Sequence, residues 1–338
     1  VPGGKNAAGL GETTKRLKSH KPALLAGNMK PRETQLKPED IKTVLIIGSG
    51  TMGQQIGFQC AAHGYDVILH DISQEMIETA IDRMGKLARI FVKTQRLSQD
   101  EADAALGRIR PELDPEKAGK QADLISESVP EDPKLKAKVF ARFNEICPKQ
   151  TIFTTNTSSL LPSMVAQATG RPDRFAALHF HDIRYNNIVD VMPHPGTSRE
   201  TVSVIEAFAR KIGTIPIVLK KENNGYVFNA MLMELLKSAQ SLAANDVADP
   251  EDVDRAWMGV MGMDIGPFGI MDSIGIDTVW KVTEYWAKTD GDPQDLKNAE
   301  FLKPYVNSGR LGAKTGAGFY TYPKPAFSKP GFTEGKNK

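Results

Sequence analysis

No stretch of this chain approaches the roughly 20 consecutive apolar residues that a helix needs to span a bilayer, so the sequence predicts no membrane-spanning segment. Cysteine is equally scarce. Cys60 and Cys147 are the only two, and their spacing suits neither a metal site nor a disulfide framework. They are expected to be buried thiols in a reducing, cytoplasmic setting, and no metal is expected. The formal net charge is only +2, which predicts neither nucleic-acid binding nor attraction to a membrane surface. No internal repeat is visible. What remains is ordinary globular composition: 338 residues, 40% hydrophobic and 25% charged, enough for two domains with a sizeable core.

The charge that exists is unevenly placed. Residues 1–42 carry nine Lys/Arg against four Asp/Glu, contain no aromatic residue and are rich in Gly, Pro and Lys. Such a segment has little apolar surface to offset the entropy of ordering it. Residues 1–41 therefore read as a basic, flexible arm or a linker from a preceding domain, with a docking arm as the alternative. The arm lacks the apolar centre of a secretory signal, and Glu12, Glu33, Glu39 and Asp40 argue against a transit peptide. Val1 in place of Met suggests processing or truncation.

The most informative segment follows the arm. An apolar, β-branched run, Lys42 to Ile47, enters the turn Gly48-Ser49-Gly50-Thr51-Met52-Gly53, and a helical pattern from Met52 to His63 leads to a second strand, Asp66 to Leu69. The glycines act differently, in that Gly48 permits the tight turn, Gly50 removes a Cβ from the path of a pyrophosphate, and Gly53 lets helix and strand pack closely. Gly57 reads as packing only. The helix N-terminus, with Thr51 and Met52 in its first turn, faces the phosphates. Asp71, about 20 residues on, is placed to accept hydrogen bonds from a ribose, and its charge would repel a 2′-phosphate. The expected cofactor is NAD.

The rest of the first two-thirds alternates. A helical pair is expected between residues 73 and 110, capped at Ser73 and opened again by the capping box Ser98-Gln-Asp-Glu101. Strands are expected at Asp123–Glu127, Thr151–Thr155, Phe175–His179, Ile188–Met192 and Ile215–Leu219, with helices at Pro133–Ile146 and Arg199–Ile212. Alternation of this kind predicts a largely parallel, doubly covered sheet, with ligand chemistry at the carboxyl ends of its strands. Asn156, Ser158 and His179 all fall there. Beyond Lys221 the character changes to amphipathic helix: Tyr226–Asn245, Pro250–Met261 and Ile276–Thr289. The fold class is thus α/β: a Rossmann-type domain (42–221), then an all-α domain (222–325) and a tail (326–338). The tract Lys314-Thr-Gly-Ala-Gly-Phe-Tyr-Thr-Tyr322 is too glycine-rich for a helix.

Several separated motifs together resemble the 3-hydroxyacyl-CoA dehydrogenase family over about residues 42–322. These are the glycine turn, Ser128-Val-Pro-Glu131 with Lys136, Asn156-Thr-Ser158-Ser-Leu160, Ala177-Leu-His179-Phe180, Gly225-Tyr-Val-Phe-Asn229, Gly266-Pro-Phe-Gly-Ile-Met-Asp272 and Lys314-Thr-Gly-Ala-Gly-Phe-Tyr320. The resemblance implies NAD-linked interconversion of an L-3-hydroxyacyl-CoA and its 3-keto thioester, in fatty-acid or butanoate metabolism. It also implies a homodimer formed through the helical domain. On the same basis His179 is the general base and acid, Ser158 and Asn229 donate to the substrate's 3-oxygen, and Glu131, Lys136, Ser158 and Lys314 lie near the nicotinamide ribose and phosphates. Imidazole suits the first role because it exchanges a proton near neutral pH. His194, between two prolines, reads as a loop residue.

Two departures from the family pattern stand out. Where the family orients its histidine with a glutamate, this chain has Asp190, on a stretch one residue shorter, and Asp182-Ile183 replaces the usual Asn-Pro. Asp182 competes as the partner of His179, and His181 competes as the base. The serine and lysine that contact CoA in the family also have no counterpart: counting from Asp71 places Leu87 and Thr94 there. Lys86, Arg89 and Lys93 lie at helical spacing and offer a basic face to a nucleotide phosphate instead. Two alternatives therefore stay open. One is a CoA-independent 3-hydroxy-acid dehydrogenase similar to the gulonate dehydrogenase and λ-crystallin branch. The other is an NAD-binding relative without turnover.

Overall fold

The structure, a computed structural model, describes residues 37–335. The arm up to residue 36 and the last three residues of the tail lie outside the described residues. Of the segment assigned to the arm, residues 37–41 are described, and Ile41 already packs in the core.

Eight strands form one sheet in the order β3-β2-β1-β4-β5-β6-β7-β8. The strands are β1 (Thr43–Ile47), β2 (Asp66–His70), β3 (Ile109–Glu112), β4 (Leu124–Glu127), β5 (Ile152–Thr155), β6 (Phe175–Phe180), β7 (Ile188–Pro193) and β8 (Ile215–Val218). Every pairing is parallel except β6 with β7. Helices α1 (Thr51–Ala62), α2 (Gln74–Lys93), α3 (Gln99–Gly107), α4 (Pro115–Gly119), α5 (Pro133–Ile146), α6 (Ser163–Ala166) and α7 (Arg199–Lys211) connect them. Helices cover both faces, so central strands are apolar throughout rather than alternating. In β1, Val44 and Ile46 enter the core shared with α1, α2 and α7, while Leu45 and Ile47 enter the one built around Phe140, Phe143 and Phe153.

Local chemistry explains why these boundaries are readable in the sequence. Ser98 and Glu101 form the reciprocal capping box. The Asp132 carboxylate accepts from the amides of Lys134 and Leu135, and Pro133 opens α5. Besides the short helices α4 and α6, three elements go beyond the sequence expectation. Strand β3 holds Pro111 and two charged residues, and it survives because it lies at the sheet edge, paired only with β2. The other two are helices in the C-terminal part, which comprises α8 (Phe228–Ala244), α9 (Pro250–Met261), α10 (Pro267–Ile274), α11 (Ile276–Asp290) and α12 (Pro293–Asn307). Helix α10 is too short and too uniformly apolar to show a period, and α12 carries an internal Pro304.

Buried acids join these helices to the tail. Asp254 of α9 accepts from the amides of Phe268 and Gly269 at the start of α10 and from the Tyr320 hydroxyl. Asp272 of α10 accepts from the amides of Phe319 and Tyr320 and from the Tyr322 hydroxyl. The glycine-rich tract is thus pinned as an irregular loop, without α-helix, as expected. The tail beyond it packs too: Arg255 donates to the Phe332 carbonyl, and Phe332 is buried.

Burial pushes the Asp254 carboxyl up to about 6, against the pull of its three donors. A folded-state pKa above the unfolded value of about 3.9 means that the native state holds the extra proton. The stabilisation this gives is full below about pH 4 and fades as pH rises through about 6, by an amount on the order of 1–3 kcal/mol. Subtracting the stability–pH profile of Asp254→Asn from that of the parent protein should leave a component that declines between these limits. A flat difference would contradict the assignment.

Candidate active site

At the carboxyl end of β1 the chain turns through Gly48, whose φ of +95° suits only glycine well. A Cβ there would lie 2.8 Å from the Ser128 carbonyl oxygen, and one on Gly53 would fall on the Gly48 carbonyl. Gly57 meets Met84 and Ile46, which makes it the packing residue expected. Gly50 differs: no atom lies within 4 Å of the position a Cβ would take. Helices α2, α3, α4, α5 and α7 begin with a side-chain cap, whereas α1 begins at Gly50 with none and with no acid in its first turn. The amides of its first turn, those of Thr51 and Met52 among them, thus lack a side-chain cap from Gly50. Beside them, Asp71 Oδ2 accepts from the Ser49 amide and hydroxyl, both at 2.8 Å. An uncapped helix start over an open glycine, with a carboxylate at the end of β2, fits a dinucleotide: pyrophosphate on the amides, ribose hydroxyls on Asp71.

The second half of the site grows from the antiparallel pair β6–β7. His179 and Asp190 are register partners, and His179 Nδ1 lies 3.2 Å from Asp190 Oδ2. Asp190 is therefore the acid that contacts the imidazole. Asp182 instead binds Arg184 Nε at 2.9 Å, so it does not compete for His179. Burial pushes the Asp190 carboxyl up, but hydrogen bonds from His179 and His181 outweigh it and hold the group below the usual carboxylate range. With Nδ1 engaged, Nε2 is the second ring nitrogen of His179. Tyr226, absent from the expected site, stacks on the imidazole with ring centroids 4.6 Å apart and anchors its hydroxyl on the Thr157 carbonyl at 2.6 Å. Burial raises its phenol well above the ordinary tyrosine value, so it stays neutral. A sequence signal did exist, since Tyr226 follows Gly225 inside one of the family-like motifs.

The loop after β5 is organised by Glu131. Its Oε1 accepts from the Thr157 hydroxyl, from the amides of Ser158 and Ser159, each at 3.1 Å, and from the Ser159 hydroxyl at 2.9 Å. Asn156 Oδ1 takes the Phe180 amide at 2.7 Å, tying this loop to the end of β6 beside His179. Ser158 is left exposed at the sheet's carboxyl edge, and Asn229 stands in the first turn of α8. Lys136 is buried: its Nζ sits 2.7 Å from Glu127 and 3.3 Å from Glu131, so it reaches the site through the acid it orients. Lys314 pairs with Asp277 at 2.5 Å in the helical part. Lys86, Arg89 and Lys93 lie on the exposed face of α2, where Lys86 pairs with Asp82 at 2.6 Å. Leu87 is buried, and Thr94 caps the end of α2. His194 bonds the Pro172 carbonyl, as a loop residue would.

Comparison with known proteins agrees with this layout. The family model described as "3-hydroxyacyl-CoA dehydrogenase, NAD binding domain" matches residues 43–223, and that of the C-terminal domain of the same family matches residues 225–322. The chain is 32% identical over 290 residues to the mitochondrial hydroxyacyl-coenzyme A dehydrogenase of Rattus norvegicus, covering 83% of this chain and 91% of the relative. It is 32% identical to a probable 3-hydroxybutyryl-CoA dehydrogenase of Bacillus subtilis, covering 84% and 98%. Among solved structures, a diketoreductase acting on dicarbonyl compounds superposes with a TM-score of 0.78 at 39% identity, covering 83% of this chain and 99% of that one. The (S)-3-hydroxybutyryl-CoA dehydrogenase of Ralstonia eutropha gives 0.76 at 30%, covering 84% and 100%.

The place of Asp71 beside the glycine turn yields a binding prediction. Asp71→Ala should weaken NADH binding about tenfold or more, from loss of charge-assisted bonds to the ribose, and should narrow the preference over NADPH. Fluorescence titration with both nucleotides checks it. Unchanged affinity and preference would move the ribose elsewhere.

Proposed function

Because the chain belongs to the 3-hydroxyacyl-CoA dehydrogenase family, we propose that it interconverts an L-3-hydroxyacyl thioester and its 3-keto form, with NAD as cofactor and His179 as the proton-transfer residue. The observation that carries the reading is the buried His179–Asp190 pair at the same sheet edge as the glycine turn. NAD, when bound, supplies the acceptor for the hydride leaving C3. His179 Nε2 takes the hydroxyl proton as the carbonyl forms, and returns it in the reverse direction. Asp190 holds the tautomer and stabilises the imidazolium. Ser158 and Asn229 donate to the 3-oxygen, where charge develops. Gly48, Gly50, Thr51, Met52, Gly53, Asp71 and Glu131 bind the cofactor, with Lys136 orienting Glu131, and Lys314 stands near the nucleotide. Lys86 and Lys93 provide the basic face for an acyl-CoA.

A second copy of the chain covers the helical part in this reading. It is supported by the exposed apolar side chains there, among them Met231, Val260, Met261 and Met263. No helix among the described residues is long and apolar enough to cross a membrane. The reading takes the compartment to be reducing and cytoplasmic, because the two cysteines have no spacing suited to a disulfide framework; Cys60 and Cys147 are free and buried, their thiols pushed up to about 12.

One finding favours a second reading, a free carbonyl acid or diketone as substrate: the 39% identity to the diketoreductase. The positions counted as CoA contacts agree with it, since Leu87 is buried in the core. NADH oxidation with acetoacetyl-CoA, free acetoacetate and dehydrogulonate separates the two. Turnover confined to the thioester supports the first, and turnover confined to a free acid the second. In either case His179→Gln should lower turnover by about 10²-fold or more while leaving NADH binding intact. Near-normal turnover in that variant would remove His179 from the mechanism.

A further inference from the structure

Two imidazoles converge on one carboxylate oxygen. His179 Nδ1 and His181 Nε2 each lie 3.2 Å from Asp190 Oδ2, and the two rings meet edge to face with centroids 4.7 Å apart. The strand period of two explains the convergence: residues 179 and 181 project from the same face at the end of β6, and Asp190 of β7 stands opposite the first of them. For one oxygen to accept from both rings, His179 must carry its proton on Nδ1 and His181 on Nε2. The surroundings are mostly apolar. Phe228 of α8 packs edge-on against His181 with centroids 5.5 Å apart, and Tyr226 stacks on the far side of His179. The titratable and charged groups facing this cluster are Asp190 from β7, Tyr226 from the turn before α8, Glu127 and Glu131 beyond that tyrosine, and the mutually paired Asp182 and Arg184 of the following loop.

We infer that His181 is a positioning residue, which holds the Asp190 carboxylate against His179 and takes part of its charge. The inference rests on His179 being the base. An aspartate side chain has a single bond about which its carboxylate can be re-aimed at fixed χ1, and a second donor locks that orientation. The second donor also divides the anion's attraction between two rings. Without it, Asp190 would concentrate its charge on His179 and favour the protonated form of that ring. His179 must be unprotonated to accept the hydroxyl proton, so alcohol oxidation would then need a higher pH.

His181→Phe keeps a ring against Phe228 and removes the donor, whereas His181→Gln restores an N–H. The Phe variant should lower kcat for alcohol oxidation about tenfold near neutral pH. It should also move the acidic limb of the kcat profile upward by about 0.5–1 pH unit, with NADH affinity unchanged. The Gln variant should return both toward the parent values. A profile for His181→Phe that superimposes on the parent, or a shift that Gln does not reverse, would overturn the inference. Ring-nitrogen NMR of the unmodified protein reads the same point without a variant: His181 protonated on Nε2 is expected, and protonation on Nδ1 alone would overturn it. If His179→Gln retains turnover, the base assignment fails. If His179→Gln is inactive and the His181→Phe profile is unmoved, only the positioning role fails.

Discussion

The antiparallel pairing of β6 with β7 is the constraint on which the site depends. In a sheet otherwise parallel, this one reversal brings a residue of the returning strand opposite His179 within 11 residues of chain. The register then selects which residue. A slip of one position would exchange Asp190 for Val189 or Val191 opposite the imidazole and turn the carboxylate to the other face. Apolar neighbours hold the register: Val189 and Val191 are buried, and the same holds for Leu178 and Phe180. Core packing thereby fixes the His179–Asp190 distance, so the pair is assembled by the fold itself.

Polar joints do for the loops what packing does for the strands. Lys136 and Glu127 are both almost fully buried. Burial drives the Glu127 carboxyl up against the pull of Lys136, Thr155 and Val129. Such a pair is a weak source of net stability, because desolvation cancels much of its attraction, but breaking it strands a buried charge. Its effect is directional. Lys136 holds Glu131, and Glu131 gathers the Thr157–Ser159 loop through its hydrogen bonds. Asp254 and Asp272 repeat the device in the helical part, each replacing solvent for amides that no helix or strand would satisfy. The glycines nearby follow from it, since a Cβ on Gly266 or Gly318 would meet these carboxylates.

What was legible in the sequence was local. The Ser98–Glu101 box and the Pro133 start of α5 are satisfied within a few residues, and the glycine turn is marked by its spacing after a strand, so all three can be read in order along the chain. The expected family and NAD-binding architecture were legible too, because several separated motifs carry them. What was hidden required the third dimension. Asp182 is nearer His179 in sequence than Asp190, yet Arg184, two residues on, captures it. Lys136 was expected beside the nucleotide, and its burial against Glu127 was hidden because that acid lies inside an apolar strand nine residues away. Strand β3 was hidden for the opposite reason: an edge position tolerates the proline and charges that a central strand would reject.

The substrate is the part least constrained by this architecture, and the chemistry explains why. Moving a proton and a hydride at C3 involves the 3-oxygen and its carbon alone, so a thioester and a free acid are equivalent at His179. Discrimination must come from groups that would be left without partners by the wrong substrate. The basic row on α2 is poorly suited to such discrimination, because it is solvent-exposed and Lys86 is already paired with Asp82, where water screens the attraction. The loop after β6 is held more firmly than that row at one point, the buried Ile183. There the Ile183 amide is held by Gln55 of α1 and its carbonyl by Arg96 just past α2. Both backbone polar groups of that residue are thereby satisfied from the sheet's helical cover, which ties the loop after β6 to α1 and to the end of α2.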